Sequence, residues 1–174
     1  TKDIDVLASF TNDLMKTTPL AFDYQSPTPC SSTVLEAMSP YWNEFWGNAS
    51  SRQNRSGLYA SAAVALAREQ LASFLNIRPE RLIFTSGATE ANNLALLGHA
   101  RAKALEYGRP GHLITITTEH HAVLEPLRQL QKEGFSVTEL IPNCDGMINL
   151  DSLENAFLED TFLVSVMAAN NEIG

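Results

Sequence analysis

The residues from Arg81 to Ala100 constrain the chain most, because their character changes within a few positions. Leu82, Ile83 and Phe84 form a short apolar run that suits a buried strand. Gly87 breaks the run, and Ala88, Ala91, Leu94, Ala95 and Ala100 then favour helix, with Leu97 and Gly98 breaking no period decisively. The pattern predicts a strand over 81–86, a tight turn and a helix over about 88–106. Such a turn aims free backbone N–H groups and the positive end of the helix dipole at one point. Thr89 adds a hydroxyl donor in the first turn. That geometry suits an anion, a phosphate above all. The same residues also fit an ordinary strand-to-helix connection, with Ser86 or Thr89 as a plain N-cap. The stretch is neither a Walker loop nor a G-x-G-x-x-G turn, since the further glycines and the Lys-Ser/Thr pair are missing.

Alternation of short apolar runs with helical stripes extends along most of the chain. Ile4, Leu7, Phe10 and Leu14 mark an amphipathic helix over 3–16, a packing or dimer element, followed by a short strand from Leu20 to Tyr24. Pro27 and Pro29 exclude regular structure over 25–29. Ser31 or Ser32 caps a helix running to about Met38, which Pro40 interrupts. Tyr41, Trp42, Phe45 and Trp46 form an aromatic cluster that reads as core or subunit interface. A polar loop over 47–57 leads into a helix from Leu58 to Leu75, with Ala62, Leu66, Leu71, Phe74 and Leu75 at helical spacing. Gly108 to Gly111 stop the next helix, and strands are expected over 112–117, 136–141 and 162–167. Between them lie helices over 122–132 and 150–158 and a turn over 143–146, with Pro126 tolerable only near a first turn. Strand–helix alternation argues for parallel strands joined by crossovers, with the ligand at their carboxyl ends. Gly87, Ala88, Thr89, His120 and Asn171 all fall at such ends.

The 174 residues are 44% hydrophobic and 18% charged, ordinary globular composition, and the net charge of −8 argues against a general nucleic-acid surface. Cys30 and Cys144 are too few for a disulfide framework and too sparse for a metal site, so they read as structural thiols in a reducing, cytoplasmic setting. His120 beside Glu119 and His121 lacks a third ligand at metal spacing, and His99, His112 and His121 read as surface or packed residues. No apolar run approaches the ~20 residues of a membrane span, and no signal-peptide pattern opens the chain. The first residue is Thr1, and the last residues form a loop leaving a strand, so the chain is expected to be a piece of a longer protein.

Three ordered motifs carry a resemblance: Phe84 to Glu90 with Asn93, then Thr118-Glu119-His120, then Asn170-Asn171-Glu172-Ile173-Gly174. Glu133-Gly134-Phe135 and Asp145-Gly146-Met147-Ile148 stand between them at matching spacing. Over roughly residues 20 to 174 the chain resembles the cysteine desulfurases, pyridoxal-phosphate enzymes of the class V aminotransferase group. It departs from their pattern at Ser26 and Pro27, at Ala49 in place of a proline, and at Asn54 where histidine is usual. The resemblance implies an α/β fold, a three-layer αβα arrangement with a mostly parallel sheet, forming the N-terminal part of the large domain of a fold-type-I enzyme. Residues 1–24 would be an N-terminal helical extension and first strand, and 25–174 an incomplete pyridoxal-phosphate-binding large domain.

The implied cofactor is pyridoxal 5′-phosphate. Gly87, Ala88 and Thr89 would form the cofactor-binding turn, with backbone N–H groups of Ala88 and Thr89 and the Thr89 hydroxyl holding the phosphate. His120 matches the family histidine that stacks on the ring and moves a proton, and Asn171 the asparagine that donates to the phenolic oxygen. Lys2, Lys16, Lys103 and Lys132 all lack the family's Ser-Gly-His-Lys context. The cofactor-bearing lysine, the aspartate facing the pyridine nitrogen and the nucleophilic cysteine are therefore implied to lie beyond Gly174. The complete protein would take sulfur from L-cysteine, giving L-alanine and an enzyme persulfide for an iron–sulfur scaffold or another acceptor, and would act as a homodimer. A related class V lyase or aminotransferase (selenocysteine lyase, kynureninase-like) and a non-catalytic binding module on the same fold are the alternatives.

Overall fold

His112–Ile116 is buried at every position, so this strand, β1, forms the centre of the structure. Its Ile and Thr residues suit an extended, covered position. The computed structural model describes residue 22 and residues 28–173. The helix expected over 3–16, the strand at 20–24 and the Ser26–Pro27 departure lie outside the described residues, except for Phe22. The chain divides between Trp46 and Gly47 into two units.

In the first unit, α1 (Ser32–Met38) is followed by α2 (Pro40–Asn43), with Pro40 at a first-turn position where its missing N–H costs nothing. Ser31 is the N-cap of α1 but makes no side-chain cap bond. The rings of Tyr41 and Phe45 lie 6.1 Å apart, and Tyr41, Trp42, Phe45 and Trp46 are all exposed among the described residues.

The second unit opens with α3 (Arg55–Phe74). The expected loop over 47–57 gives up its last three residues to this helix. Asn54 is the N-cap, its side chain accepting from the Gly57 N–H at 2.7 Å. The missed turn is Arg55-Ser56-Gly57, which has no apolar period. Gly57 has a close-approach role instead: a Cβ there would lie 2.3 Å from the Ser51 carbonyl oxygen. The apolar residues expected to pack do not do so among the described residues, with Leu66 56% and Phe74 85% exposed. Only Gly57, Ala60 and Ala72 of this helix are buried.

The strand expected over 81–86 does not form. Pro79–Arg81 is a 3-10 turn, and Leu82 onward is extended without a ladder partner. Ile83 is 66% and Phe84 44% exposed, so no described strand covers them. Arg68 of α3 instead donates to the Leu82 carbonyl and places its guanidinium 4.7 Å from the Phe84 ring. A strand is defined by pairing, and an apolar run cannot show whether a partner is present.

The helix over 88–107 is built from α4 (Ala88–Asn93), a π-turn (Leu94–Gly98) and α5 (His99–Tyr107), closed by Gly108 at φ +71°. Next come β1, α6 (His121–Lys132), β2 (Ser136–Leu140), α7 (Leu150–Ala156) and β3 (Thr161–Val164). The strands are parallel in the order β2-β1-β3, as the strand–helix alternation predicts. β1 pairs with β2 in unbroken register, whereas the β1–β3 register shifts between His112 and Leu113. Phe162 at that shift turns toward the core, 6.2 Å from Phe135 and 5.8 Å from His99.

Leu96 and Ala100 from one helix, Val123, Leu127 and Leu130 from α6, and Leu113 and Phe135 form the main core. Burying a leucine such as Leu130 stabilises by roughly 1.5–3 kcal/mol. Pro126 lies in the second turn of α6 rather than the first, buried against this core. The opposite face of the sheet carries His112, which is 1% exposed. Its Nδ1 meets Thr161 Oγ1 at 2.7 Å and its Nε2 meets Thr138 Oγ1 at 2.8 Å. One ring thus ties β1 to both neighbours. Burial holds its pKa below the ordinary histidine value, with nearby Asp160 partly opposing.

Candidate active site

Because β1 lies between β2 and β3, the exits of β1 and β3 stand side by side, and a crevice opens at their carboxyl ends. The first exit carries Thr117 to His121, and the second carries Asn170 to Ile173. These two loops line a cleft of about 370 Å³ that contains both His120 and Asn171. A second cleft of about 440 Å³ is lined by Thr89, Asn93, Leu97, His120 and His121, among others. His120 belongs to both clefts, so it stands between Thr89 on one side and Asn171 on the other.

His120 is held by the helix it begins. It is the N-cap of α6, and its Nδ1 accepts the Ala122 N–H at 3.0 Å. That bond leaves the proton of the neutral ring on Nε2. The expectation of a helix starting at 122 therefore misses His121 and the capping role of its neighbour. The ring of His121 lies 6.3 Å from that of His120, and both residues are exposed. Glu119, just before them, is buried at 8% exposure.

At the start of α4 the N-cap is Gly87, and no side chain caps the helix. Ser86 and Thr89 do not serve as the expected caps. The Ser86 hydroxyl and N–H both donate to the Glu90 carboxylate, each at 2.7 Å. A charge-assisted bond of this kind outcompetes a neutral cap. These donors hold the Glu90 carboxyl below its ordinary value, the hydroxyl more than the N–H. Thr85 Oγ1 donates to the Gly87 carbonyl at 3.1 Å, and Asn93 Nδ2 to the Thr89 carbonyl at 2.8 Å. The Thr89 hydroxyl has no hydrogen-bond partner among the described residues. The first N–H groups of the helix likewise lack a carbonyl one turn back. A Cβ built on Gly87 would meet no atom within 4 Å. Uncapped donors, an unpaired hydroxyl and open space therefore coincide.

The loop after β3 is organised by Asn170. Its Oδ1 accepts the N–H groups of Glu172 at 2.8 Å and Ile173 at 3.1 Å. Its Nδ2 donates to the Thr118 carbonyl at 2.9 Å and lies 3.1 Å from Met167 Sδ. Asn171 is exposed and makes no side-chain hydrogen bond among the described residues. Sequence reasoning quotes Asn170, Asn93 and Glu90 within motifs without giving them a role. The tendency of Asn to bond backbone two residues on is the one signal that bears on Asn170.

A cleft of about 310 Å³ at the start of β1 and β3 carries Arg109 and Asp160, which pair at 2.9 Å. Among the described residues no cluster of His, Cys, Asp or Glu is arranged to hold a metal ion, and no helix is long and apolar enough to cross a membrane. Cys30 and Cys144 are exposed.

The chain is 47% identical over 156 residues to a probable mitochondrial cysteine desulfurase of Schizosaccharomyces pombe, covering 90% of this chain and 30% of that protein. It is 45% identical over 159 residues to the cysteine desulfurase IscS of Colwellia psychrerythraea, covering 90% of this chain and 38% of that one. The chain thus spans less than two-fifths of the length of these curated relatives. Among solved structures, a NifS-like protein superposes with a TM-score of 0.79 at 38% identity, over 88% of this chain and 41% of that one. SspA in complex with cysteine superposes with a TM-score of 0.78 at 40% identity, over 87% and 42%. The aminotransferase class-V profile matches residues 20–174, so the segment that builds the Thr89, His120 and Asn171 clefts is family sequence throughout, and the chain belongs to the class-V aminotransferases.

Proposed function

We propose that the complete protein is a pyridoxal-phosphate-dependent cysteine desulfurase, and that this chain supplies the phosphate cradle and two ring-contacting side chains. The observation that carries the reading is the meeting of Thr89, His120 and Asn171 around clefts shared through His120. The larger cleft, about 440 Å³, lies within the roughly 300–1,000 Å³ of small-molecule sites. Of the expected phosphate residues Thr89 lines this cleft, with a hydroxyl unpaired among the described residues, while Gly87 and Ala88 precede it at the uncapped start of α4. When bound, the cofactor would supply the electron sink that such chemistry requires.

The residues then have separate tasks. Gly87, Ala88 and Thr89 anchor the phosphate through backbone N–H groups and one hydroxyl. His120 presents a flat ring whose Nδ1 is already engaged, so Nε2 is the atom that holds or passes a proton. Asn171 offers an uncommitted amide to the phenolic oxygen. The substrate is L-cysteine, supported by the relatives named as cysteine desulfurases and by the solved relative in complex with cysteine. Its sulfur would pass to a cysteine of the complete protein, leaving alanine, and then to a sulfur acceptor such as an iron–sulfur scaffold. A homodimeric, cytoplasmic enzyme is part of the same reading.

The test is cofactor uptake and product analysis on the full-length protein. The expected result is a visible cofactor band, with alanine formed from L-cysteine and the persulfide sulfur released as sulfide once a thiol reductant is added. Thr89→Val and His120→Ala should each weaken cofactor binding, by roughly fivefold or more for a neutral hydrogen bond of about 1 kcal/mol. Wild-type affinity in both variants would remove those residues from the site. A protein that takes up the cofactor but releases no sulfur from L-cysteine would be another class V lyase or aminotransferase.

A further inference from the structure

Among the described residues, Asn170 alone joins the loop from Thr117 to His121 to the loop from Asn170 to Ile173 through a side-chain hydrogen bond, and both loops line the cleft of about 370 Å³. The amide is oriented without ambiguity, because Oδ1 meets two N–H groups while Nδ2 meets a carbonyl. Oδ1 closes a turn over Asn171, since the N–H groups it accepts belong to Glu172 and Ile173, directly after it. Nδ2 fastens that turn to Thr118, two residues ahead of His120. The side chain is half-buried, whereas Asn171 and His120 are exposed. Among the described residues no other hydrogen bond joins residues 170–173 to residues 117–121.

We propose that Asn170 is a positioning residue that holds Asn171 and His120 in one mutual register, so that both meet a single ligand. This rests on the cofactor reading above. The two halves of the amide have separable tasks. Oδ1 sets the local turn, and Nδ2 sets the distance between the loops. Asn170→Asp keeps the acceptor that closes the turn but puts a carboxylate oxygen against the Thr118 carbonyl, where an N–H donor is required. Asn170→Ser is uncharged, retains an oxygen near the turn and is too short to reach Thr118. Misplacing a positioned group by about 1 Å is enough to cost large factors in function.

The experiment uses full-length protein stripped of cofactor and then titrated with pyridoxal phosphate. It compares wild type, Asn170→Asp, Asn170→Ser and Asn171→Ala. Three quantities are read: the cofactor dissociation constant, the pH midpoint of the visible band, and amide exchange at Glu172 and Ile173 in the cofactor-free protein. Both Asn170 variants should bind the cofactor roughly five- to tenfold more weakly, the loss of about one hydrogen bond's worth of alignment. Both should also move the pH midpoint in the same direction as Asn171→Ala. Asn170→Asp should keep slow exchange at Glu172 and Ile173, showing the turn intact. Wild-type affinity and midpoint in both Asn170 variants, with Asn171→Ala impaired, would overturn the positioning role and leave the cofactor reading standing. Weaker binding with an unmoved midpoint and fast exchange at Glu172 would assign Asn170 to loop stability alone and also overturn it. A wild-type protein that takes up no cofactor would overturn both.

Discussion

Replacing His112 by phenylalanine tests whether one buried ring holds the three strands together. The ring is fully buried and bonds Thr161 Oγ1 at 2.7 Å and Thr138 Oγ1 at 2.8 Å. His112→Phe keeps a flat ring in the same space and deletes both bonds. At about 1 kcal/mol each, the direct loss is about 2 kcal/mol. The two threonines respond differently. Thr161 Oγ1 still accepts the Leu158 N–H at 2.7 Å, whereas Thr138 loses the partner described for its hydroxyl. Thr138 is half-buried, so its hydroxyl regains only part of that bond from water, and the expected cost is about 2 kcal/mol at pH 7.5. The sign of the pH dependence is fixed by burial. The folded pKa is depressed below the unfolded value of 6.5, so the unfolded chain binds the proton more readily. The contribution of His112 is therefore full above pH 6.5 and is lost as pH falls toward the folded pKa. The slope cannot exceed ~1.4 kcal/mol per pH unit for one proton. Urea unfolding of both full-length proteins at pH 7.5 and pH 5.0, followed by circular dichroism, measures the gap. The expected outcome is a gap of about 2 kcal/mol at pH 7.5 that narrows at pH 5.0. A gap that is constant or widens at low pH would show that the ring is not held neutral.

Further predictions concern the start of α3 and an ion pair on the second unit. Gly57→Ala should destabilise by about 1–3 kcal/mol or prevent folding, because its Cβ would meet the Ser51 carbonyl at 2.3 Å and backbone must shift. Asn54→Ala removes the N-cap of α3 and should cost about 1 kcal/mol, seen as a lower thermal midpoint, with Asn54→Asp or Asn54→Ser restoring most of it. Glu133 accepts from Arg101 Nε at 3.0 Å and Nη2 at 2.6 Å, and its carboxyl is held down to about 2, first by Arg101 and then by Gln129. Its stabilisation is present above the unfolded value of 4.5 and is lost as pH falls toward 2. Glu133→Gln should therefore flatten the acid limb of the stability profile over that window, and an unchanged limb would refute the pairing in solution.

The sequence alone determined the centre of the fold. β1, α6 and β2 lie within a residue of where apolar runs, a helical stripe and Gly134 place them. Each of those signals is local, so adjacent residues suffice to set it. The turn at Asn143 and the placement of His120 just past β1 were legible for the same reason, and motif order added the family, whereas Gly87, Ala88 and Thr89, expected at a strand's carboxyl end, follow an extended segment with no ladder partner among the described residues. Tertiary structure decided everything that depends on a distant partner. The strand expected over 81–86 has no ladder partner among the described residues, and Arg68, fourteen positions before Leu82, takes the Leu82 carbonyl instead. The register shift at Phe162 answers to packing against Phe135 and His99, and no pattern in Thr161–Val164 announces it. His112 reads as an unremarkable histidine until β2 and β3 bring threonines to its two nitrogens from 26 and 49 positions away. Asn170 likewise meets Thr118 across 52 positions. Hydrogen bonds of such range leave no periodic trace, because periodicity reports which face a residue lies on and not what waits opposite it.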